Sequence, residues 1–212
     1  MDSKITIVWH GHSCFSVSAD GYTLALDPYD NSLNGYAPLQ LSANEVLCSH
    51  GHHDHAWLPA VTLHNTAARS PFQIRSVHTW HDDSQGSKRG ENLIHVIHVF
   101  GKTLVHCGDL GHLLTKEQIG QIGSCDVLMV PVGGFYTIDA AQARQVADQL
   151  SAAVIIPMHY RFGDYGIPVI GEVEDFLSLA GSYPVHRYPG NRFTLESDIS
   201  KQIVVLTYQK LS

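Results

Sequence analysis

The run His50-Gly51-His52-His53-Asp54-His55 constrains the fold of this chain more than any other feature of its sequence. Its pattern, H-x-H-x-D-H, places three imidazoles and a carboxylate within six residues, and only Ser49 separates it from the preceding apolar run Val46-Leu47-Cys48. Burying these groups without partners would cost several kcal/mol, so the fold must place them where hydrogen bonds or a bound ion compensate for the loss of water. Imidazole nitrogen and carboxylate oxygen suit ions such as Zn, Mn, Fe and Co. The pattern therefore predicts a strand that ends at a metal site; the alternative is a solvated histidine-rich loop.

The composition excludes several kinds of protein. The 212 residues, 44% of them hydrophobic, suffice for a single domain over residues 1–212 with a sizeable core. The net charge of −7 and the lack of a long basic run argue against an extended nucleic-acid surface. No run approaches the length of a membrane span, and the first residues carry no signal-peptide pattern. Four cysteines without a C-x-x-C pair indicate a reduced, cytoplasmic chain.

Apolar runs of strand length recur along the chain, many of them β-branched and bounded by Gly, Asp or Pro. They predict strands at Ile5–Trp9, Cys14–Val17, Tyr22–Leu26, Val46–Cys48, Leu93–Val99, Thr103–Cys107, Val127–Val130, Val154–Pro157 and Ile203–Tyr208. The first half is strand-rich and hairpin-like, whereas the second half alternates strands with helical patterns. This order predicts an α/β fold in which helices cover two sheets, not a simple doubly wound sheet.

Helical patterns lie between the later strands. Thr115–Ile122 begins with a threonine followed three residues later by a glutamine, which is a capping box. Asp139–Leu150 has apolar residues near the 3.6-residue period, with Asp139 as its N-cap. Gly171–Leu179 is a weaker helix, and the pattern of Trp57–Ile74 is ambiguous but could hold one helix.

A second histidine cluster, His78-Thr79-Trp80-His81-Asp82-Asp83, follows the apolar segment Ile74–Val77. Together with the first motif it offers a third imidazole for one metal ion. We take His81 as that ligand and His78 as its rival.

Two further strand-like runs end in groups that bind metals. The segment His106-Cys107-Gly108-Asp109-Leu110-Gly111-His112 follows a predicted strand, and a carboxylate at Asp109 could bridge two ions through its two oxygens. In the alternative interpretation, Asp109 is the N-cap of the next segment. His106 and His112 could orient ligands or be ordinary histidines. The run Ile155-Ile156-Pro157-Met158-His159-Tyr160 ends in a histidine that would complete a second site.

These motifs together resemble the metallo-β-lactamase superfamily, and in particular its compact branch of metal-dependent hydrolases, with L-ascorbate-6-phosphate lactonase as a more distant relative. The resemblance covers about Trp9 to His159. It rests on the motifs above and on Trp9-His10-Gly11-His12-Ser13-Cys14-Phe15, Leu26-Asp27-Pro28, Arg89-Gly90-Glu91-Asn92, Pro131-Val132-Gly133-Gly134-Phe135-Tyr136-Thr137-Ile138-Asp139 and Pro157-Met158-His159-Tyr160. It implies a four-layer αββα sandwich with a metal site at one edge, between the sheets.

The resemblance also implies roles for residues of this chain. One divalent ion would be held by His50, His52 and His81, and a second by Asp54, His55 and His159, with Asp109 bridging them. Zn is the expected metal, with Mn and Fe as alternatives. Metal-bound hydroxide would then cleave a small ester, lactone, thioester or phosphodiester, with Asp54 and Asp109 as catalytic residues. Asp27 would support the first motif, and the remaining candidates for ligand support or substrate contact are His12, His106, His112, Arg89, Tyr136 and Tyr160.

Other functions compete with this one. A mononuclear iron dioxygenase could use the same fold. Redox-active diiron relatives have a glutamate at the position of His52, and this chain lacks it. A metal-dependent nuclease is disfavoured by the charge and size of the chain. A non-enzymatic metal-dependent binding or sensing module would not need all seven ligands. The sequence leaves the substrate, the metal and the oligomeric state open.

Overall fold

The computed structural model describes residues 4–30, 35–64, 69–195 and 198–209. A five-stranded sheet contains β1 (Ile5–Gly11), β2 (Cys14–Ala19), β3 (Tyr22–Leu26), β5 (Glu45–Leu47) and β13 (Arg192–Leu195). Its strand order is β13-β1-β2-β3-β5. The pairs among β13, β1, β2 and β3 are antiparallel, and β5 joins β3 in parallel. Two short parallel strands, β4 (Leu41–Ala43) and β6 (Val61–Leu63), form a separate pair.

A seven-stranded sheet forms the second layer. It contains β7 (Gln73–Trp80), β8 (Glu91–Val99), β9 (Lys102–His106), β10 (Val127–Pro131), β11 (Val154–Met158), β12 (Val185–Arg187) and β14 (Gln202–Val205). The order is β12-β14-β11-β10-β9-β8-β7, with β7, β8 and β9 antiparallel and the rest parallel. Because β9, β10 and β11 run in parallel, their carboxyl ends lie at one edge, where ligand sites form in sheets of this kind.

Three α-helices occur in the described ranges: α1 (Lys116–Ile122), α2 (Ala140–Gln149) and α3 (Val173–Leu177). Thr115 and Asp139 begin α1 and α2 with reciprocal capping boxes, in which the side chain of each cap accepts the backbone N–H three residues on. Helix α1 contacts β7, and α2 contacts β10 and α3. No helix in the part of the chain that the structure describes is long and apolar enough to cross a bilayer.

The core joins the two sheets. All residues of β10 and β11 are buried, as expected for central parallel strands that are covered on both faces. One hydrophobic cluster combines residues of both sheets with the inner faces of the helices, among them Ile7, Leu24, Ile94, Val130 and Val146. The α/β architecture of two sheets covered by helices is therefore confirmed.

The structure differs from the sequence prediction in a few elements. Within Trp57–Ile74, the described residues hold a 3₁₀ turn, Leu58–Ala60, and the strands β6 and the start of β7, but no α-helix; residues 65–68 lie outside the described ranges. Pro59 lies at the start of the 3₁₀ turn, and pairing with β4 then draws the chain into a strand. Strands β4, β6, β12 and β13 have three or four residues each, too few for an alternating pattern to stand out.

Candidate metal centre

The predicted ligands all follow the ends of strands. His50, His52, Asp54 and His55 come after β5, His81 follows β7, and Asp109 and His159 follow β9 and β11. The structure brings all seven together. Three overlapping groups of ligand atoms, each within 4.8 Å of one another, are His50 with His52 and His81, His50 with His55 and Asp109, and His12 with Asp54, His55 and His159.

The Asp27 carboxylate organises the first motif. It accepts hydrogen bonds from the backbone N–H and the hydroxyl of Ser49, at 2.7 and 2.6 Å, and from Nδ1 of His55 at 2.7 Å. The Ser49 hydroxyl in turn lies 3.0 Å from Nδ1 of His50 and accepts a hydrogen bond from it. Both imidazoles thus donate from Nδ1, so Nε2 is the atom of His50 and of His55 that would bind a metal.

Three imidazoles surround the first candidate position. Nε2 of His50 lies 3.0 Å from Nδ1 of His52, and the ring of His81 is centred 4.8 and 5.2 Å from the rings of His50 and His52. His81 is almost fully buried, His50 is half-buried and His52 is exposed. A borderline ion suits this set of nitrogen ligands.

Asp109 lies at the centre of the cluster. Its Oδ1 is 3.1 Å from Nε2 of His55, and its Oδ2 is 3.2 Å from Nε2 of His81 and 3.3 Å from Nε2 of His159. The carboxylate is buried, yet Oδ1 makes no hydrogen bond of normal geometry, and neither does Nε2 of His55 or His159. Such a convergence of unsatisfied buried groups is costly unless a cation lies among them, so these residues fit a metal site.

Burial tunes the charges of the cluster. It lowers the pKa of His50 to about 3 and that of His12 to about 4, so both imidazoles are neutral at neutral pH, the form that binds metals. Burial alone would raise the pKa of Asp27, but His55, His106 and Ser49 outweigh it and hold the pKa below its usual range. Asp27 therefore stays ionised.

Other side chains hold the ligand loops from behind. His106 donates from Nε2 to the carbonyl of Ser13 at 2.9 Å, beside His12. His112 accepts the backbone N–H of Trp80 at 3.1 Å, directly before His81. Both candidates from the sequence thus contact the backbone beside a histidine of the cluster.

Two supporting residues were not predicted as site residues. The amide oxygen of Asn92 accepts the backbone N–H of Asp109 at 2.8 Å, and its nitrogen donates to Cys107 and Thr79. The Asp82 carboxylate accepts hydrogen bonds from four backbone N–H groups, those of Ser84, Gly86, Lys88 and Arg89. These bonds hold the loop after His81 in its conformation. The available signal for Asn92 was a polar amide next to the apolar run of β8, at a position that the structure shows to be fully buried.

A glycine allows the loops of the site to approach each other. A Cβ atom on Gly111 would lie 2.2 Å from the backbone nitrogen of Asp82 and 2.3 Å from the carbonyl carbon of His81. Only glycine permits the loop after Asp109 to lie against the His81 backbone this closely.

The remaining candidates lie in different surroundings. Arg89 lines an open hollow beside His50 and His52, with its guanidinium over the ring of Tyr136 at 5.5 Å. Tyr160 is buried and stacks on Trp9 at 5.4 Å between ring centres, so it belongs to the core. Phe135, whose carbonyl accepts a hydrogen bond from Arg89, is 63% exposed at the rim.

The structure separates His81 from His78. The His78 side chain is 46% exposed and lies 3.5 Å from the Glu91 carboxylate, outside the cluster. We expect His81→Ala to lower the metal content per chain far more than His78→Ala, because only His81 faces Asp109. Elemental analysis of the two variants after identical desalting measures this. Equal losses, or a larger loss for His78→Ala, would contradict the assignment.

Residues 6–159 match the family model of the beta-lactamase superfamily domain. The chain belongs to this superfamily. The chain is similar to a candidate Zn-dependent hydrolase of the metallo-β-lactamase superfamily from Thermotoga maritima, whose crystal structure is known. The two sequences are 36% identical, and the structures match over 97% of this chain and 100% of that protein with a TM-score of 0.77. The resemblance and the fold predicted from the sequence are confirmed.

More distant members agree with this assignment. A UPF0173 metal-dependent hydrolase from Thermoplasma acidophilum is 26% identical over 210 residues, which span 84% of this chain and 92% of that protein. A metallo hydrolase from Ignicoccus hospitalis has the same fold, with 22% identity, a TM-score of 0.64, and coverage of 92% of this chain and 100% of its own. The chain is thus a metal-dependent hydrolase of this superfamily, as predicted from its sequence.

Proposed function

We propose that the chain hydrolyses a small, anionic ester, lactone, thioester or phosphodiester with two divalent ions, most naturally Zn, at the centre formed by these seven ligands. The observation that carries the proposal is the position of Asp109. Its carboxylate faces His81 of the first ligand set and both His55 and His159 of the second, so it can serve two ions at once. Two ions about 3.5–4 Å apart are the arrangement that stabilises both the attacking and the leaving oxygen in a displacement.

The residues of the chain divide the work of the reaction. Bound ions would supply Lewis acidity, which activates a water near neutral pH and stabilises charge that develops on the substrate. Asp54, with Oδ2 directed towards His55 at 3.9 Å, would orient the attacking water and add negative charge beside it. Asp27 and Asn92 keep the ligands and the Asp109 loop in place. The Ser49 hydroxyl lies beside His50 but is buried and donates its proton to Asp27, so it supports the ligands and is not placed to act as a nucleophile.

The hollow beside the first candidate position supports a small anionic substrate. It has a volume of about 690 Å³, is open to solvent, and is lined by His50, His52, Leu58, Arg89 and Leu93 among others. The Arg89 guanidinium is fixed by the Phe135 carbonyl at 3.1 Å and can pair with a carboxylate or phosphate of the substrate. The apolar side chains would cover the neighbouring part of the molecule.

The setting of the protein is part of the proposal. All four cysteines are free thiols, three of them buried, which suits the reducing cytoplasm. A core shared by both sheets supports a single domain over residues 1–212. The net charge of −7 disfavours nucleic acid as a partner.

We expect close to two divalent ions per chain when the protein is fully loaded, because the ligands divide into two sets that share Asp109. Elemental analysis after reconstitution with Zn measures the ratio, and a screen of the loaded protein against lactones, thioesters and phosphodiesters identifies the substrate. Absence of tightly held metal after reconstitution would reject the proposal. One ion per chain, with oxygen uptake in the iron form, would favour a mononuclear dioxygenase instead.

A further inference from the structure

We propose that His12 is a further ligand of the second ion, which its Nε2 would bind together with Asp54, His55 and His159. This inference rests on the two-ion centre of the proposed function and adds a residue from β1–β2 to it. His12 is fully buried, and one of its ring nitrogens lies in one group with the ligand atoms of those three residues, all within 4.8 Å of one another.

Apart from the 3.9 Å between His55 and Asp54, the separations between histidine nitrogens and carboxylate oxygens in this site fall into two classes. The supporting contact from Nδ1 of His55 to Asp27 is 2.7 Å, within the range of about 2.7–2.9 Å of a charge-assisted hydrogen bond. The contacts of Asp109 with Nε2 of His55, His81 and His159 are longer, at 3.1, 3.2 and 3.3 Å. Two atoms that each lie about 2.1 Å from one ion, at right or tetrahedral angles, are about 3.0–3.4 Å apart.

His12 belongs to the second class. Its Nε2 is 3.3 Å from Oδ2 of Asp54, the same separation as between His159 and Asp109. Its Nδ1 has no hydrogen-bond partner among the described residues, which is also true of Nδ1 in His81 and His159. The ring of His12 is centred 4.2 Å from that of His159 and 5.3 Å from that of His55. The contact of His12 with Asp54 is a long hydrogen bond, and its length together with the positions of the three rings fits a ligand of the same ion.

The backbone holds His12 in this place against its own preference. The pairing of β1 with β2 changes register between Trp9 and Gly11, and His12 follows with a φ of +51°, in the left-handed region. Its carbonyl accepts hydrogen bonds from the Trp9 indole at 3.0 Å and from the backbone N–H of His159 at 3.2 Å. Left-handed backbone at a residue other than glycine costs about 1–3 kcal/mol and persists at functional sites.

The residue before His12 reinforces this placement. Gly11 has a φ of +105°, and a Cβ there would lie 2.8 Å from the ring of Tyr36. Tyr36 in turn packs with Tyr29, Tyr165 and Tyr208. The packing of Tyr36 against Gly11 thus leaves no room for a side chain at residue 11 and fixes the path of the backbone that leads to His12.

The test compares the wild type with His12→Asn. Asparagine tolerates left-handed backbone but removes the imidazole, so the turn should keep its conformation. Each protein is dialysed against buffers of graded free Zn, and bound Zn is measured by elemental analysis. We expect the wild type to bind two ions, and His12→Asn to bind one unchanged and the other at least about tenfold more weakly. In the Co-loaded proteins, the visible absorption of the second ion should change as one nitrogen ligand is lost.

His10→Asn is the matched control, because His10 lies two residues away on β1 and contacts Ser16 instead of the cluster. It should bind both ions as the wild type does.

His12→Gly is the second variant, since it removes the backbone strain, and millimolar imidazole should restore its binding of the second ion. If both His12 variants bind each of the two ions as tightly as the wild type does, the inference is overturned and the two-ion proposal stands. Loss of the fold in both metal-free variants, seen as lost melting transitions, would also overturn it, because His12 would then be a structural residue. A wild type that binds no Zn would instead reject the proposed function itself.

Discussion

Asp54→Asn should lower turnover by about a thousandfold or more, which corresponds to about 4 kcal/mol of lost transition-state stabilisation. The variant keeps the size of the side chain and one neutral oxygen, but it removes the negative charge beside His55 and His12. In the proposed mechanism, that charge favours the second ion and orients the attacking water. The fold should survive, because Asp54 is partly exposed in the site and belongs to no core cluster.

The measurement needs the substrate identified by the screen, together with melting temperature and metal content of both forms. Asp83→Asn is a suitable control, since Asp83 is exposed near the site and pairs with Lys88 at 2.8 Å. Unchanged turnover in Asp54→Asn would exclude the proposed two-ion mechanism. An unfolded Asp54→Asn would assign the ion a structural function.

Asp27→Asn should weaken the binding of both ions, by about 10–100-fold each, although Asp27 faces neither ion. The reason is the placement of protons. Asp27 accepts from Nδ1 of His55 directly and from His50 through the Ser49 hydroxyl. An amide group in its place can donate to these positions, which would move the proton of each imidazole to Nε2, the atom that must bind the metal. One buried ionic hydrogen bond is lost as well, so the free energy of unfolding should fall by about 1–3 kcal/mol.

Zn titration and thermal unfolding of the metal-free protein separate the two effects. Asp20→Asn serves as control, because Asp20 lies exposed in the turn between β2 and β3. If Asp27→Asn lowers stability but binds Zn as the wild type does, then Asp27 does not fix the protons of His50 and His55 on Nδ1.

Much of the fold could be read from local sequence signals. Strand β3 has the predicted bounds, and α1 and α2 begin at the threonine and aspartate that their capping boxes indicate. The metal motifs were recognisable because each follows an apolar strand, and parallel strands bring such ends to one edge of a sheet. The choice of His81 over His78 agrees with its placement because the alternation of β7 directs His78 outwards.

Features that the sequence could not predict depend on contacts between distant segments. Strand β13 pairs with β1 across nearly the whole chain, and its four residues carry no distinctive pattern. The contact of His12 with Asp54 joins residues 42 positions apart and depends on a register change in β1–β2. Asp82 directly follows His81 in the sequence, and only the folded loop reveals its four backbone partners.

The predicted ligands come from four separate segments, after β5, β7, β9 and β11, which only the folded chain can bring together. Metal is then a ligand of the native state alone, and mass action couples its free concentration to stability. An ion present at a thousand times its dissociation constant adds about 4 kcal/mol to the free energy of unfolding. Where metal is scarce, more of the chain unfolds and becomes open to proteolysis. The supply of metal in the cell would thereby set the abundance of this protein as well as its activity.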